Sequence, residues 1–194
     1  MRVRLWALLT VAAGILLAGT GCADPVVFSE ALQQGIGQKI YTRYNIWYTD
    51  PEDISCLNIQ QGSFIPVGTE IEPVGTGSFG AIRFRDTAGH NYTIRFDSGS
   101  RLCTMRDFIG STFTTTPPDE LQKDIPPKTL ERIRRGEVVA GMNRRDVLLA
   151  YGPPPAIRTP NPRLDTWLYW LTPTETVRVV FRGDKVRNVW NIND

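Results

Sequence analysis

The sequence predicts two joined folds, a small all-β barrel over residues 38–113 and an α+β module of two helices and three antiparallel strands over residues 128–194. Three observations predict them. In "GAIRFRDTAGHNYTIRFDSG" Ile82 and Phe84, then Tyr92, Ile94 and Phe96, alternate with polar residues on either side of a Gly-containing turn, the pattern of a β-hairpin. In "KTLERIRRGEVV" and "NRRDVLLAYG" the apolar spacing changes to that of helices. Between them "STFTTTPPDELQKDIPPKT" has the composition of a connector, so residues 114–127 are expected to be a Pro-rich linker.

The chain opens on "MRVRLWALLTVAAGILLAGTGCAD", with Arg2 and Arg4 ahead of the apolar run Leu5–Gly19, which reads as a signal peptide over residues 1–21. Small residues directly before Cys22 resemble a bacterial lipobox, although Gly19 stands where such boxes usually carry Leu. On that reading Cys22 is lipidated, residues 22–37 form a tether, and Ala23 in place of Asp implies the outer membrane, facing the periplasm. Cleavage after Ala23, giving a soluble periplasmic protein, and an uncleaved anchor are the alternatives. All three place the body outside the cytoplasm.

Within the barrel region "QKIYTRYNIWYTD" is expected to be an opening strand and "FIPVGTEIEPVGTG" a strand pair, with Pro66 and Pro73 at edges or bulges. Cys56 and Cys103 remain as an even pair in an oxidising compartment, and a disulfide between them is expected, two separate buried thiols being the alternative. In the second half Leu130 and Ile133 mark one helix, stopped by Gly136. Asn143 caps the next, with Asp146 three residues on as in a capping box, Val147, Leu148 and Tyr151 as its buried face, and Gly152 and Pro153 as its stop. "TWLYWL", "TVRVVF" and "KVRNVWNI" read as three strands, the last two joined by the turn "RGDK".

The run Gly136, Val139, Gly141-Met142, Val147 and "YGPP", followed by Trp167, Tyr169, Val177, Phe181 and Val186, resembles the SmpA/OmlA (BamE-like) family of outer-membrane lipoproteins over residues 128–192. The stretch "FIPVGTEIEPV" with the basic hairpin after it is similar to a bacterial SH3-like barrel over residues 38–112. The resemblances imply an SH3-like barrel followed by an α-α-β-β-β BamE-like module, a partner-binding or scaffold role in envelope or outer-membrane protein assembly, and, through the barrel, an alternative role in binding peptidoglycan.

Chemistry is harder to find. His90 is the one histidine of the chain, and it lies in the turn between Asp86 and Asp97. A nucleophilic triad or a histidine-ligated metal would have to use it, and a solvated turn residue is the plainer reading. Asp50, Glu52, Asp53, Glu70 and Glu72 are scattered carboxylates, and no Gly-rich phosphate loop follows a strand. We therefore expect no catalysis, no metal and no cofactor. Without Arg2 and Arg4 the 22 basic residues fall to 20 against 20 acidic ones, a balance that argues against nucleic acid as a partner. The candidate partner-binding residues are Arg144, Arg145, Trp167 and Trp170, the two tryptophans lying on opposite sheet faces so that one is available as an interface anchor. Arg83, Arg85 and Arg95 form a candidate basic strip on the barrel.

Overall fold

The computed structural model describes residues 25–33, 37–77 and 80–191, so the expected signal peptide and Cys22 lie outside the described residues. The chain is mostly β, built on a curled half-barrel sheet with a few short helices. In order it forms α1 (Pro25–Leu32), β1 (Ile40–Thr42), β2 (Ile46–Tyr48), β3 (Ile54–Ser55), β4 (Ser63–Ile65), β5 (Glu70–Thr76), β6 (Ala81–Asp86) and β7 (Asn91–Arg95). Then come α2 (Ser98–Arg101), α3 (Met105–Thr112), β8 (Phe113–Thr114), α4 (Pro118–Leu121), α5 (Pro127–Arg134), α6 (Arg144–Tyr151), β9 (Thr166–Trp170), β10 (Thr176–Arg182) and β11 (Lys185–Asn191). No described helix is long and apolar enough to cross a membrane.

The six-stranded sheet runs β3-β7-β6-β5-β1-β8. The β6–β7 hairpin pairs Phe84 with Tyr92 and Ile82 with Ile94, all buried, as period-two alternation requires. Three expectations for this half need correction. The opening strand splits, because the chain leaves β1 for β2, which pairs only with β4 in a separate two-stranded sheet. The strand pair read in "FIPVGTEIEPV" is no hairpin: β4 joins β2, while β5 joins β1 and β6, with a register shift between Pro73 and Gly75 where a proline cannot serve the ladder. The region is also not all-β. Asp97 accepts from Gly99 N and Ser100 N to start α2, and Thr104 accepts from Asp107 N to start α3. The expected tether contains α1, whose Phe28 is buried in the core against Phe113, with ring centroids 5.3 Å apart.

The second core lies between the meander β11-β10-β9 and the helices α5 and α6. The helix–helix–strand–strand–strand order is the one the apolar spacing predicts. The capping box is formed in both directions: Asp146 N donates to Asn143 Oδ1 at 2.8 Å, and Asn143 N donates to Asp146 Oδ2 at 2.8 Å. The buried face of α6 differs from the expected one. Val147, Leu149 and Ala150 are buried and Leu148 and Tyr151 only half-buried, because α6 is clamped between its own sheet and the first half.

That clamp is a row of hydrogen bonds at the C-terminal end of α6. The last four carbonyls of a helix have no partner within it. Here Leu148 O accepts from Gly152 N at 2.9 Å and Leu149 O from Asn45 N at 3.0 Å. Ala150 O accepts from Trp47 Nε1 at 3.3 Å, and Tyr151 O from Asn58 Nδ2 at 2.8 Å and Gln60 Nε2 at 3.3 Å. Asn45, fully buried, also donates from Nδ2 to Ile133 O at the end of α5 (2.7 Å) and accepts from Val67 N at 2.8 Å. Gln60 N donates to Trp170 O at 2.8 Å, and Val67, from the first half, packs in the second core. The segment expected as a linker lies along this junction. Thr114 ends β8, α4 follows, and Arg145 donates to Leu121 O and Lys123 O at 2.9 and 3.2 Å.

Two glycines make the approach possible. Gly152 sits at φ +74°, ψ −177°, a region essentially reserved for glycine, and a Cβ there would lie 2.7 Å from the Tyr44 ring. Gly136, at φ +67°, has Trp47 and Phe64 against it where a side chain would point.

Replacing Asn45 with alanine strands the Val67 N–H and the Ile133 carbonyl in a dry interior, where each unmet group costs about 1–3 kcal/mol. Urea denaturation of Asn45→Ala is therefore expected to show a loss of about 2–4 kcal/mol. A loss within error of zero would remove this residue from the account of the junction.

Candidate interaction surface

Among the described residues no helix covers the outer face of the meander, and cross-strand register decides what it presents. Even-numbered residues of β9 and β10 point outward, while Trp167, Tyr169, Val177, Val179 and Phe181 point in and are buried. One row across the sheet is Leu168, Arg178 and Trp190, and the next is Thr166, Val180 and Asn188. Trp190 is 50% exposed, high for the largest apolar side chain. Trp170, on the same face, is half-buried, and the Arg158 guanidinium lies over its ring, 4.4 Å from the centroid. Trp170 Nε1 and Arg178 Nε are shielded from solvent and have no hydrogen-bond partner among the described residues. The surface is an arginine–tryptophan layer with unmet donors.

The chain's small net charge of +2 conceals a partition. Residues 128–191 hold twelve basic and six acidic side chains, whereas residues 25–127 hold eight and twelve. Within the second half three arginines on the helical side, Arg132, Arg135 and Arg144, are neutralised locally. Arg132 pairs with Glu137 at 2.8 Å, Arg135 with Glu131 at 2.6 Å and Glu137 at 2.9 Å, and Arg144 with Asp165 at 3.0 Å. Among the described residues no carboxylate lies within ion-pair distance of Arg158, Arg178, Arg182 or Arg187, which line the sheet and its turns.

The residues singled out from sequence fall on both sides of this division. Trp167 is in the core, 1% exposed, against Phe181, so it is no interface anchor. Arg144 lies over the Phe181 and Trp167 rings at 4.2 and 5.3 Å. It also donates to Pro162 O, Leu164 O and Gly183 O, which makes it a pin for the loops around β9. Arg145, its neighbour, is exposed and turns the other way, toward α4. Trp170 alone of the four lies on the open face. Sequence reasoning did not show that Arg158 covers Trp170, or that Arg178 and Trp190 share its face. The alternation in "TVRVVFR" places Arg178 outward, but its alignment with Trp190 depends on the β10–β11 register, which shifts between Val180 and Phe181.

The other predicted features are placed as follows. Cys56 and Cys103 are free thiols, Cys56 buried and Cys103 half-buried in the same core, so the expected disulfide is not formed. Burial pushes both thiols up. The basic strip on β6 and β7 is largely neutralised, since Arg85 pairs with Glu72 at 2.7 Å and Arg95 with Asp53. His90 caps its own hairpin turn: His90 Nδ1 lies 2.9 Å from Asp86 Oδ2, and Tyr92 Oη donates to the same oxygen at 3.3 Å. Burial alone would raise the Asp86 carboxyl, but hydrogen bonds from His90 and Tyr92 hold it below the usual range. The His90 side chain is 70% exposed, and no carboxylate from the second half reaches it among the described residues.

Comparison of the chain with protein-family models, with curated proteins and with solved structures yields no match. The surface must be interpreted on its own chemistry.

Burial and the adjacent Asp86 carboxylate push the Tyr92 phenol up to about 12. Because folding favours its neutral form, the associated stability is complete below the ordinary tyrosine value of about 10 and is lost as pH rises through the folded value. Tyr92→Phe is expected to flatten the fall in the urea midpoint over that alkaline window. An unchanged fall would assign the alkaline loss to other groups.

Proposed function

We propose that this protein is a periplasm-facing lipoprotein of the outer membrane, and that it acts as a non-catalytic binding or scaffold component in envelope assembly, with the outer face of its C-terminal meander as the contact surface. The observation that carries the reading is the arginine–tryptophan face itself. It combines a half-exposed Trp190, Trp170 under Arg158, and four arginines free of carboxylates. Tryptophan and arginine are the side chains that dominate protein interfaces, because each offers a large contact area and a directional donor. The resemblance of residues 128–192 to the SmpA/OmlA (BamE-like) family, and of the first half to SH3-like barrels, supports the same class of role. If Cys22 carries the lipid, only Ala23 and Asp24 separate it from Pro25, three Cα-to-Cα steps with a reach of about 10 Å. Helix α1 is docked on the first core, so such an anchor holds the whole body at the membrane surface.

A second reading, peptidoglycan binding through the first half, is favoured by one feature. A groove of about 540 Å³ on the hairpin side is lined by Glu52, Arg83, Asn91, Thr93 and Arg95, polar groups suited to a glycan or its peptides. Retention of the protein on insoluble peptidoglycan would mark that surface as the working one.

The principal reading is tested with a photo-crosslinking residue at position 190 in intact cells, with position 88 on the far hairpin turn as control. A discrete protein adduct is expected from 190 and none from 88. Absence of an adduct at 190, or equal adducts at both, would overturn the assignment of the face.

A further inference from the structure

A second concave surface, separate from the meander face, lies where the first half, α4 and α6 meet. It is a groove of about 360 Å³, at the lower end of the roughly 300–1,000 Å³ typical of small-molecule sites. Its apolar lining comes from Tyr44, Leu121, Leu148, Leu149 and Pro153, three separate stretches of chain brought together by the α6 junction. Arg43 and Arg145 also line it.

The charge state of the lining indicates what is missing. Arg43 donates to Gly110 O and Phe113 O at 3.4 and 3.3 Å, and Arg145 to Leu121 O and Lys123 O at 2.9 and 3.2 Å. Both guanidinium groups are satisfied only by neutral carbonyls and retain further N–H donors. Glu120 is the one carboxylate of the lining, and it pairs with neither arginine. Partial burial disfavours the Arg43 cation, and among the described residues no carboxylate pairs with it. An apolar groove walled by two cations that lack counter-charges is complementary to a molecule with an apolar body and one anionic head.

We propose that this groove binds a medium-chain amphipathic carboxylate, its tail against Leu148, Leu149 and Tyr44 and its head on the donors of Arg43 and Arg145. At about 30 Å³ per small non-hydrogen group, the volume takes on the order of ten such atoms, the size of an eight-carbon acid. The fit selects against an amine of the same length, because the head would meet two like charges.

The test is isothermal titration of octanoate into the full chain held in non-ionic micelles, with octylamine, octanol and acetate in parallel arms. Saturable octanoate binding is expected, about tenfold or more weaker for octylamine and for the Arg145→Gln protein, and undetectable for acetate. Leu148→Trp, which fills the groove from a half-buried position, is expected to abolish it, circular dichroism confirming that both variants fold. Equal binding of octanoate and octylamine, or unchanged binding in both variants, would overturn the proposal, because micelle partition alone would then explain the heat. A short peptide ending in a free leucine carboxylate that binds where octanoate does not would also overturn it, in favour of a chain terminus as occupant.

Discussion

The carbonyls at the end of α6 are the constraint on which the rest of the molecule depends. A helix end whose carbonyls are buried without donor partners would cost several kcal/mol, and here the donors come from 90 to 100 or so residues earlier in the chain. Asn45 N takes the Leu149 carbonyl, Trp47 that of Ala150, and Asn58 and Gln60 share that of Tyr151. Amides are well suited to the task, since each offers donors and an acceptor at fixed geometry. Asn58 spends its oxygen on Trp47 N and its nitrogen on Asn45 O and Tyr151 O. Buried polar groups of this kind fix one relative orientation, because any other leaves them unmet.

That orientation decides which surfaces exist. With α6 turned toward the first half, the meander must present its other face to solvent, and that face is where the unpaired arginines collect. The same docking closes Tyr44 and Pro153 around the groove at α4. On the helical side, by contrast, Arg132, Arg135 and Arg144 find carboxylates in Glu131, Glu137 and Asp165. A net charge of only +2 therefore coexists with a strongly basic surface, and net charge alone is a poor guide to the partner.

Local signals in the sequence specified local structure well. The Asn143–Asp146 box, the β6–β7 hairpin and the meander follow from caps and alternation, which depend on neighbours within a few residues. Non-local choices were not legible. Nothing in "FIPVGTEIEPV" states that β4 pairs with β2 and β5 with β1, since either pairing satisfies the alternation. The α2–α3 segment was hidden by its glycine and serine, and only the Asp97 and Thr104 caps mark it. Arg144 and Arg145 are the same letter twice, yet helical geometry sends one onto Phe181 and the other to α4. The partners of Trp170 required the register of three strands.

The central claim is that two cores behave as one cooperative unit because of the α6 junction. Native-state amide hydrogen exchange under increasing urea measures this most directly, comparing Ile82 and Ile94 in the first core with Val179 in the second. The account predicts that their opening free energies converge on a single global value. If the amides of one core open well before those of the other, the junction is an ordinary contact between independent halves, and the account is contradicted.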